Sequence, residues 1–104
     1  MLIAALTVSA PAVARVATPS STGVKHDLAL GRKLFRANCG GCHTLADAGT
    51  HGKVGPNLGL DTYHYATVVW MIRTGNSTMP AFQGTLTLAQ IQDVAAYIAK
   101  VTGS

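Results

Sequence analysis

Residues 39–44 read Cys39-Gly40-Gly41-Cys42-His43-Thr44, and the architecture of the chain turns on what these six residues are for. Two thiols three positions apart serve as a redox disulfide, as half of a zinc site or as a double covalent anchor, and each chemistry needs different neighbours. A thioredoxin-like redox pair opens a helix inside a β-α-β pattern, which is absent from this chain. A structural zinc ion takes four ligands; these are the only two cysteines, so His51 and His64 would have to be drafted at irregular spacing. A plain Cys39–Cys42 disulfide leaves His43 without a task.

A double anchor employs all three residues. Two thiols close in sequence each add across a vinyl group on one porphyrin edge, and the imidazole of the next residue then reaches the iron. Gly40 and Gly41 let the backbone bend tightly beneath a macrocycle with no side chains in the way. The motif therefore reads as the attachment site of one covalently bound haem c with its iron.

Upstream, residues 26–38 (HDLALGRKLFRAN) set Leu30, Leu34 and Ala37 four and three apart, with Asp27 near the start where the helix dipole favours a negative charge. This spacing predicts a first helix. Gly31 inside it costs about 1 kcal/mol relative to Ala, so its presence points to another backbone approaching closely. Downstream, residues 39–60 follow neither the helical nor the strand period and read as a long, Gly-rich loop, which a compact domain tolerates when the loop wraps something functional. A second helix is predicted to start near Asp61 or Thr62, with Tyr65, Val68, Val69 and Ile72 on one stripe and Gly75 as its stop. Residues 75–84 (GNSTMPAFQG) are loop again. The last helix has the clearest start: Thr87 and Gln90 form a capping box, Leu86 and Ile91 its hydrophobic staple, and Ile91, Val94, Ala95, Ile98 and Val101 repeat at helical spacing. The predicted class is all-α, with long loops carrying the site.

The chain has 104 residues, 48% hydrophobic and 12% charged, which suits one folded domain whose core would be thin unless a prosthetic group adds to it. Eight Lys and Arg oppose four Asp, with no Glu, for a formal charge of +4. Only Arg32, Lys33 and Arg36 cluster, enough to steer an acidic protein partner at low salt but short of a nucleic-acid footprint. Residues 1–14 (MLIAALTVSAPAVA) are uncharged and end in Ala12-Val13-Ala14, small residues spaced for signal-peptide cleavage, and too short to span a bilayer. Residues 15–25, including Ala17–Gly23 (ATPSSTG), read as a polar linker, leaving 26–104 as the domain.

Taken in order, GRKLFRANC leading into CGGCHT, GPNL at Gly55–Leu58, MPAF at Met79–Phe82 and the terminal DVAAYIA resemble a small class I, monohaem cytochrome c of bacterial type, over about Asp27 to Gly103. The resemblance implies the cytochrome c fold around one covalently attached haem c, with thioether bonds to Cys39 and Cys42, proximal ligation of the iron by His43 and distal ligation by Met79. Met71 competes on paper, but its place in the second predicted helix suits a core filler. The resemblance further implies that the Pro56 carbonyl accepts a hydrogen bond from His43, and that Gly31 and Phe35 pack against Tyr97. Tyr63, Tyr65 and Trp70 suit either haem propionates or ordinary packing; His26, His51 and His64 read as exposed or structurally bonded.

With both axial positions filled, the iron has no place for substrate, so the implied role is a one-electron carrier, not an enzyme. The expected partners are a redox protein donor and acceptor, such as a dehydrogenase, a cytochrome complex or a terminal oxidase. Neither nucleic acid nor stable membrane insertion of the mature domain is expected; the protein is expected to be a monomer in the periplasm or on the outer face of the cytoplasmic membrane. A haem-based sensor or peroxidase-like enzyme, with the sixth position open, and a haem-free disulfide module are the alternatives.

Overall fold

Asp27 opens the first helix by capping it. Its carboxylate accepts the Leu30 N–H at 2.9 Å, one of the donors that a helix start leaves without an intrahelical partner. Helix α1 therefore runs Leu28–Asn38, two residues shorter at its start than the spacing of apolar residues suggested. The computed structural model describes residues 25–104; the predicted signal peptide at 1–14 and the predicted linker apart from Lys25 lie outside the described residues.

The buried face of α1 consists of Gly31 and Phe35, one turn apart. It crosses the terminal helix, α3 (Leu88–Val101), which buries Ile91, Val94, Ala95, Tyr97, Ile98 and Ala99. At the crossing a Cβ on Gly31 would collide with the Asp93 backbone carbonyl and stand 2.9 Å from the Tyr97 Cβ, so the glycine is there because two backbones meet. One turn further on, the Phe35 and Tyr97 rings pack at a tilt, centroids 6.2 Å apart, a favourable arrangement of aromatic quadrupoles. The Asp27 N–H donates to the Asp93 carboxylate at 3.1 Å, fastening the start of α1 to the same helix.

Helix α3 begins as its sequence predicts, with both bonds of the Thr87–Gln90 capping box formed. Helix α2 does not. It runs Tyr65–Thr74, three to four residues later than expected, because the approach is tied to the far end of α3: the Tyr63 N–H donates to Thr102 Oγ1 at 3.1 Å and His64 Nδ1 pairs with Ser104 Oγ at 2.9 Å. Those long-range partners leave no trace in the local pattern. Val68 and Ile72 form its buried face, and Gly75, in the left-handed region at φ 63°, ends it.

The predicted loop at 39–60 contains short regular pieces below the resolution of any sequence period. Strands β1 (Thr44–Leu45) and β2 (Thr50–His51) pair antiparallel, and single 3₁₀ turns lie at Ala46–Ala48 and Leu58–Leu60. Thr50 holds the hairpin, its hydroxyl donating to the His43 carbonyl at 2.9 Å and accepting the Leu45 N–H at 3.1 Å. The turn inside the hairpin is anchored to both helices: the Tyr97 hydroxyl donates to the Asp47 carboxylate, and Arg32 Nε donates to the Asp47 carbonyl at 3.2 Å. The architecture is all-α apart from this ribbon, and among the described residues no helix is long and apolar enough to cross a membrane.

Candidate functional site

The Cys-x-x-Cys-His stretch is delivered by the end of α1. Cys39 caps the helix, its N–H and that of Gly40 both bonding to the Phe35 carbonyl, at 2.7 and 2.9 Å. The Cys39 carbonyl in turn accepts from the N–H groups of Cys42 and His43, at 3.1 and 2.9 Å. This tight turn leaves Cys39 buried, Cys42 exposed and both as free thiols. Burial first, and the neighbouring Cys42 second, push the Cys39 thiol up to about 12. Among the described residues no three His, Cys, Asp or Glu side chains converge to hold a metal ion by themselves.

Residues 52–56 fold back over the turn. The Thr44 hydroxyl donates to the Gly52 carbonyl at 2.8 Å, and the Gly55 N–H to the Cys42 carbonyl at 2.7 Å. His43 Nδ1 then lies 2.8 Å from the Pro56 carbonyl oxygen. A carbonyl only accepts, so Nδ1 is the donor of this bond and Nε2 is the ring nitrogen left without that partner. Gly55 sits flat against the same ring: a Cβ there would come within 2.5 Å of His43 Cε1 and 2.8 Å of Nδ1.

The opposite part of the wall comes from α2 and the segment after it. A cavity of about 320 Å³ is lined by Cys39, Cys42, His43 and Pro56 together with Met79, Asn76 and Thr78, over apolar walls of Phe35, Leu58, Val68, Ile72 and Ile98. Its volume falls in the range of ligand pockets, about 300–1,000 Å³. The structure thus places all five candidate site residues around one space. Met71 lines it too, which corrects its reading as a core filler: lying three and four positions beyond Val68 and Thr67, it shares their cavity-facing side of α2. Tyr63 reaches the lining. Tyr65 instead stacks on His26, centroids 5.1 Å apart, and Trp70 is 60% exposed on the outer side of α2.

His26 lies 3.8 Å from the Asp93 carboxylate, and His51 is exposed on β2. Asn76 is the site residue that sequence reasoning passed over. Its side chain accepts the N–H groups of Thr78 and Met79, a local turn bond for which Asn in a loop is itself the available signal.

The donor set suits a haem: two free thiols three positions apart, an imidazole with one nitrogen held by a carbonyl and the other available, thioether side chains, and an apolar wall. Residues 26–98 match the family described as cytochrome C oxidase, cbb3-type, subunit III. The chain is 33% identical to cytochrome c6 of Thermosynechococcus vestitus, over 89% of this chain and 87% of that protein. It is 37% identical to cytochrome c6 of Synechococcus elongatus, over 69% and 87% respectively. Among solved structures, the crystal structure of the c-type cytochrome SorU from Sinorhizobium meliloti superposes with a TM-score of 0.67 at 41% identity, covering 73% of this chain and 91% of that one.

Proposed function

The chain belongs to the class I cytochrome c family, and from that premise we propose that it shuttles single electrons between redox proteins, with Cys39 and Cys42 as the attachment thiols, His43 as the proximal ligand and Met79 as the distal one. The family's cofactor is haem c, covalently attached, and when bound it supplies a one-electron ferric/ferrous couple. The observation that carries the ligand assignment is that Cys39, Cys42, His43 and Met79 share the wall of one apolar cavity. Cys39 and Cys42 would hold the group through thioether bonds, each made by addition of S–H across a vinyl double bond, sulfur to one carbon and hydrogen to the other, which would need no oxidant. The Pro56 carbonyl accepts from His43 Nδ1 and so leaves Nε2 as the nitrogen that would hold the iron. Met79 would offer its thioether to the iron, which would favour the reduced state, and the apolar walls would act in the same direction.

Such a carrier works through brief, small contacts with a donor and an acceptor, for which a dehydrogenase, a cytochrome complex or a terminal oxidase are the candidate classes. Arg32 is turned toward Asp47, so Lys33 and Arg36 are the α1 cations left for an acidic docking face. The uncharged first fourteen residues support export to the periplasm or the outer face of the cytoplasmic membrane, and we read the protein as a monomer there.

The test is an optical spectrum of protein exported with the haem-attachment machinery present. The reading requires sharp low-spin bands, a far-red ferric band from iron–thioether ligation, haem retained through acid-acetone extraction, and indifference to carbon monoxide. A high-spin spectrum that shifts with carbon monoxide overturns Met79 ligation and favours a sensor or peroxidase-like enzyme.

A further inference from the structure

Two methionines face the cavity, and their thioethers are chemically identical donors. Met71 is carried by α2 and Met79 by the segment that follows, so what separates them has to be position. Asn76 touches both. Its backbone N–H donates to the Met79 carbonyl at 2.9 Å. Its side-chain oxygen accepts from the N–H groups of Thr78 and Met79, at 3.3 and 3.1 Å. Its amide nitrogen lies 3.9 Å from the Met71 sulfur. That orientation of the amide follows from the chemistry: the atom facing two backbone donors has to be the oxygen, which turns the NH₂ toward sulfur, a weak acceptor.

The rest of the segment is fixed to α2 at both ends. Before Asn76, Gly75 at φ 63° lies so close beneath this turn that a Cβ would meet the Met79 carbonyl and come within 2.7 Å of the Pro80 carbonyl carbon. After Met79, the Phe82 N–H donates to the Ile72 carbonyl at 2.9 Å. Between these fixed ends the Met79 backbone N–H has Asn76 as its partner, and Asn76 is an exposed residue, so general burial does not explain its grip.

We propose that Asn76 is the positioning residue that gives the sixth iron position to Met79 and withholds it from Met71, its carbonyl setting the Met79 turn while its amide engages the Met71 sulfur. The proposal rests on Met79 being the distal ligand. Losing two neutral hydrogen bonds loosens the turn and raises the population in which the distal position is open to Met71 or to an added ligand.

The experiment uses purified holoprotein as wild type, Asn76→Ala, Asn76→Asp and Asn76→Ala combined with Met71→Leu, with Met79→Ala and Met71→Leu as the controls. The readouts are the ferric far-red band, the affinity for added imidazole, and the proton NMR signals of the iron-bound methionine methyl. Asn76→Ala is expected to weaken the band, to raise imidazole affinity by about tenfold, and to add a second bound-methyl signal that disappears when Met71 is also Leu. Asn76→Asp keeps an oxygen that accepts both N–H groups but loses the amide N–H facing the Met71 sulfur, and is expected to restore most of the band while keeping the second bound-methyl signal. Asn76→Ser, able to accept one of the two, is expected to lie between and serves if Asn76→Ala gives no folded holoprotein. Wild-type band, affinity and methyl signals in Asn76→Ala overturn the proposal, even if urea stability falls. A far-red band that survives Met79→Ala but is lost in Met71→Leu overturns the Met79 reading itself, an outcome distinguishable from the first.

Discussion

Tyr97 concentrates several roles in one side chain: its Cβ borders Gly31, its ring packs on Phe35 and its hydroxyl donates to Asp47. Burial, the hydrogen bond to Asp47 and the Asp47 charge all push its phenol well above the ordinary value near 10, against a smaller opposing pull from Arg32. A group held above its unfolded value contributes stability that is fully present below about pH 10 and is lost as pH climbs toward the folded value. Urea unfolding of the holoprotein should therefore show a midpoint that declines from about pH 10 upward. In Tyr97→Phe that decline should shrink to what Tyr65 adds, since burial and Asp93 shift Tyr65 in the same direction. At pH 7 the same variant should lose about 1 kcal/mol, the net worth of a hydrogen bond whose Asp47 partner remains open to water. An undiminished alkaline decline in Tyr97→Phe would place its origin elsewhere.

At the scale of elements, two helix features have separable energetics. The Thr87–Gln90 box supplies two of the bonds that the start of α3 needs, at 3.1 Å from Gln90 N–H to the Thr87 hydroxyl and 2.9 Å from Thr87 N–H to the Gln90 side chain. Thr87→Ala should cost about 1 kcal/mol in denaturant unfolding without moving the absorption spectrum, because neither Thr87 nor Gln90 lines the cavity. Gly31→Ala poses a contest. Helix propensity favours alanine by about 1 kcal/mol, whereas the added methyl strikes the Asp93 backbone carbonyl, which has no rotamer to escape into, and overpacking of this kind costs about 1–3 kcal/mol. The clash should win, lowering the unfolding midpoint; a stabilised Gly31→Ala would mean that α1 and α3 shift apart at little cost.

On the scale of the whole molecule, core and site share the same atoms. Phe35, Leu58, Val68, Ile72 and Ile98 are buried members of the core and also wall the cavity. In a domain this small the polypeptide by itself buries little apolar surface, so the cofactor completes the core as well as performing the chemistry. Protein made without haem attachment should lose its cooperative thermal transition in circular dichroism and much of its helix signal. A haem-free chain that melts cooperatively with holoprotein helix content would show that the three helices suffice alone.

What local chemistry can encode was legible from the amino acids alone. The cofactor type follows from three adjacent functional side chains in Cys-x-x-Cys-His, the all-α class from apolar spacing, and the start of α3 from a capping box complete within four residues. The sequence also marked Gly31 as a close approach, since a glycine within a helix has few other uses. Tertiary structure decided what depends on partners distant along the chain. The late start of α2 comes from Thr102 and Ser104 holding Tyr63 and His64. The two-residue ribbon comes from Thr50 binding back to His43 and Leu45. The turn of Met71 toward the cavity, and the reach of Asn76 to both methionines, arise only once α2 and the segment after it lie side by side. Periodicity reports which face of an element is apolar; which neighbour that face meets is set by packing, because hydrogen bonds and contacts between residues far apart in sequence exist only after the chain has folded.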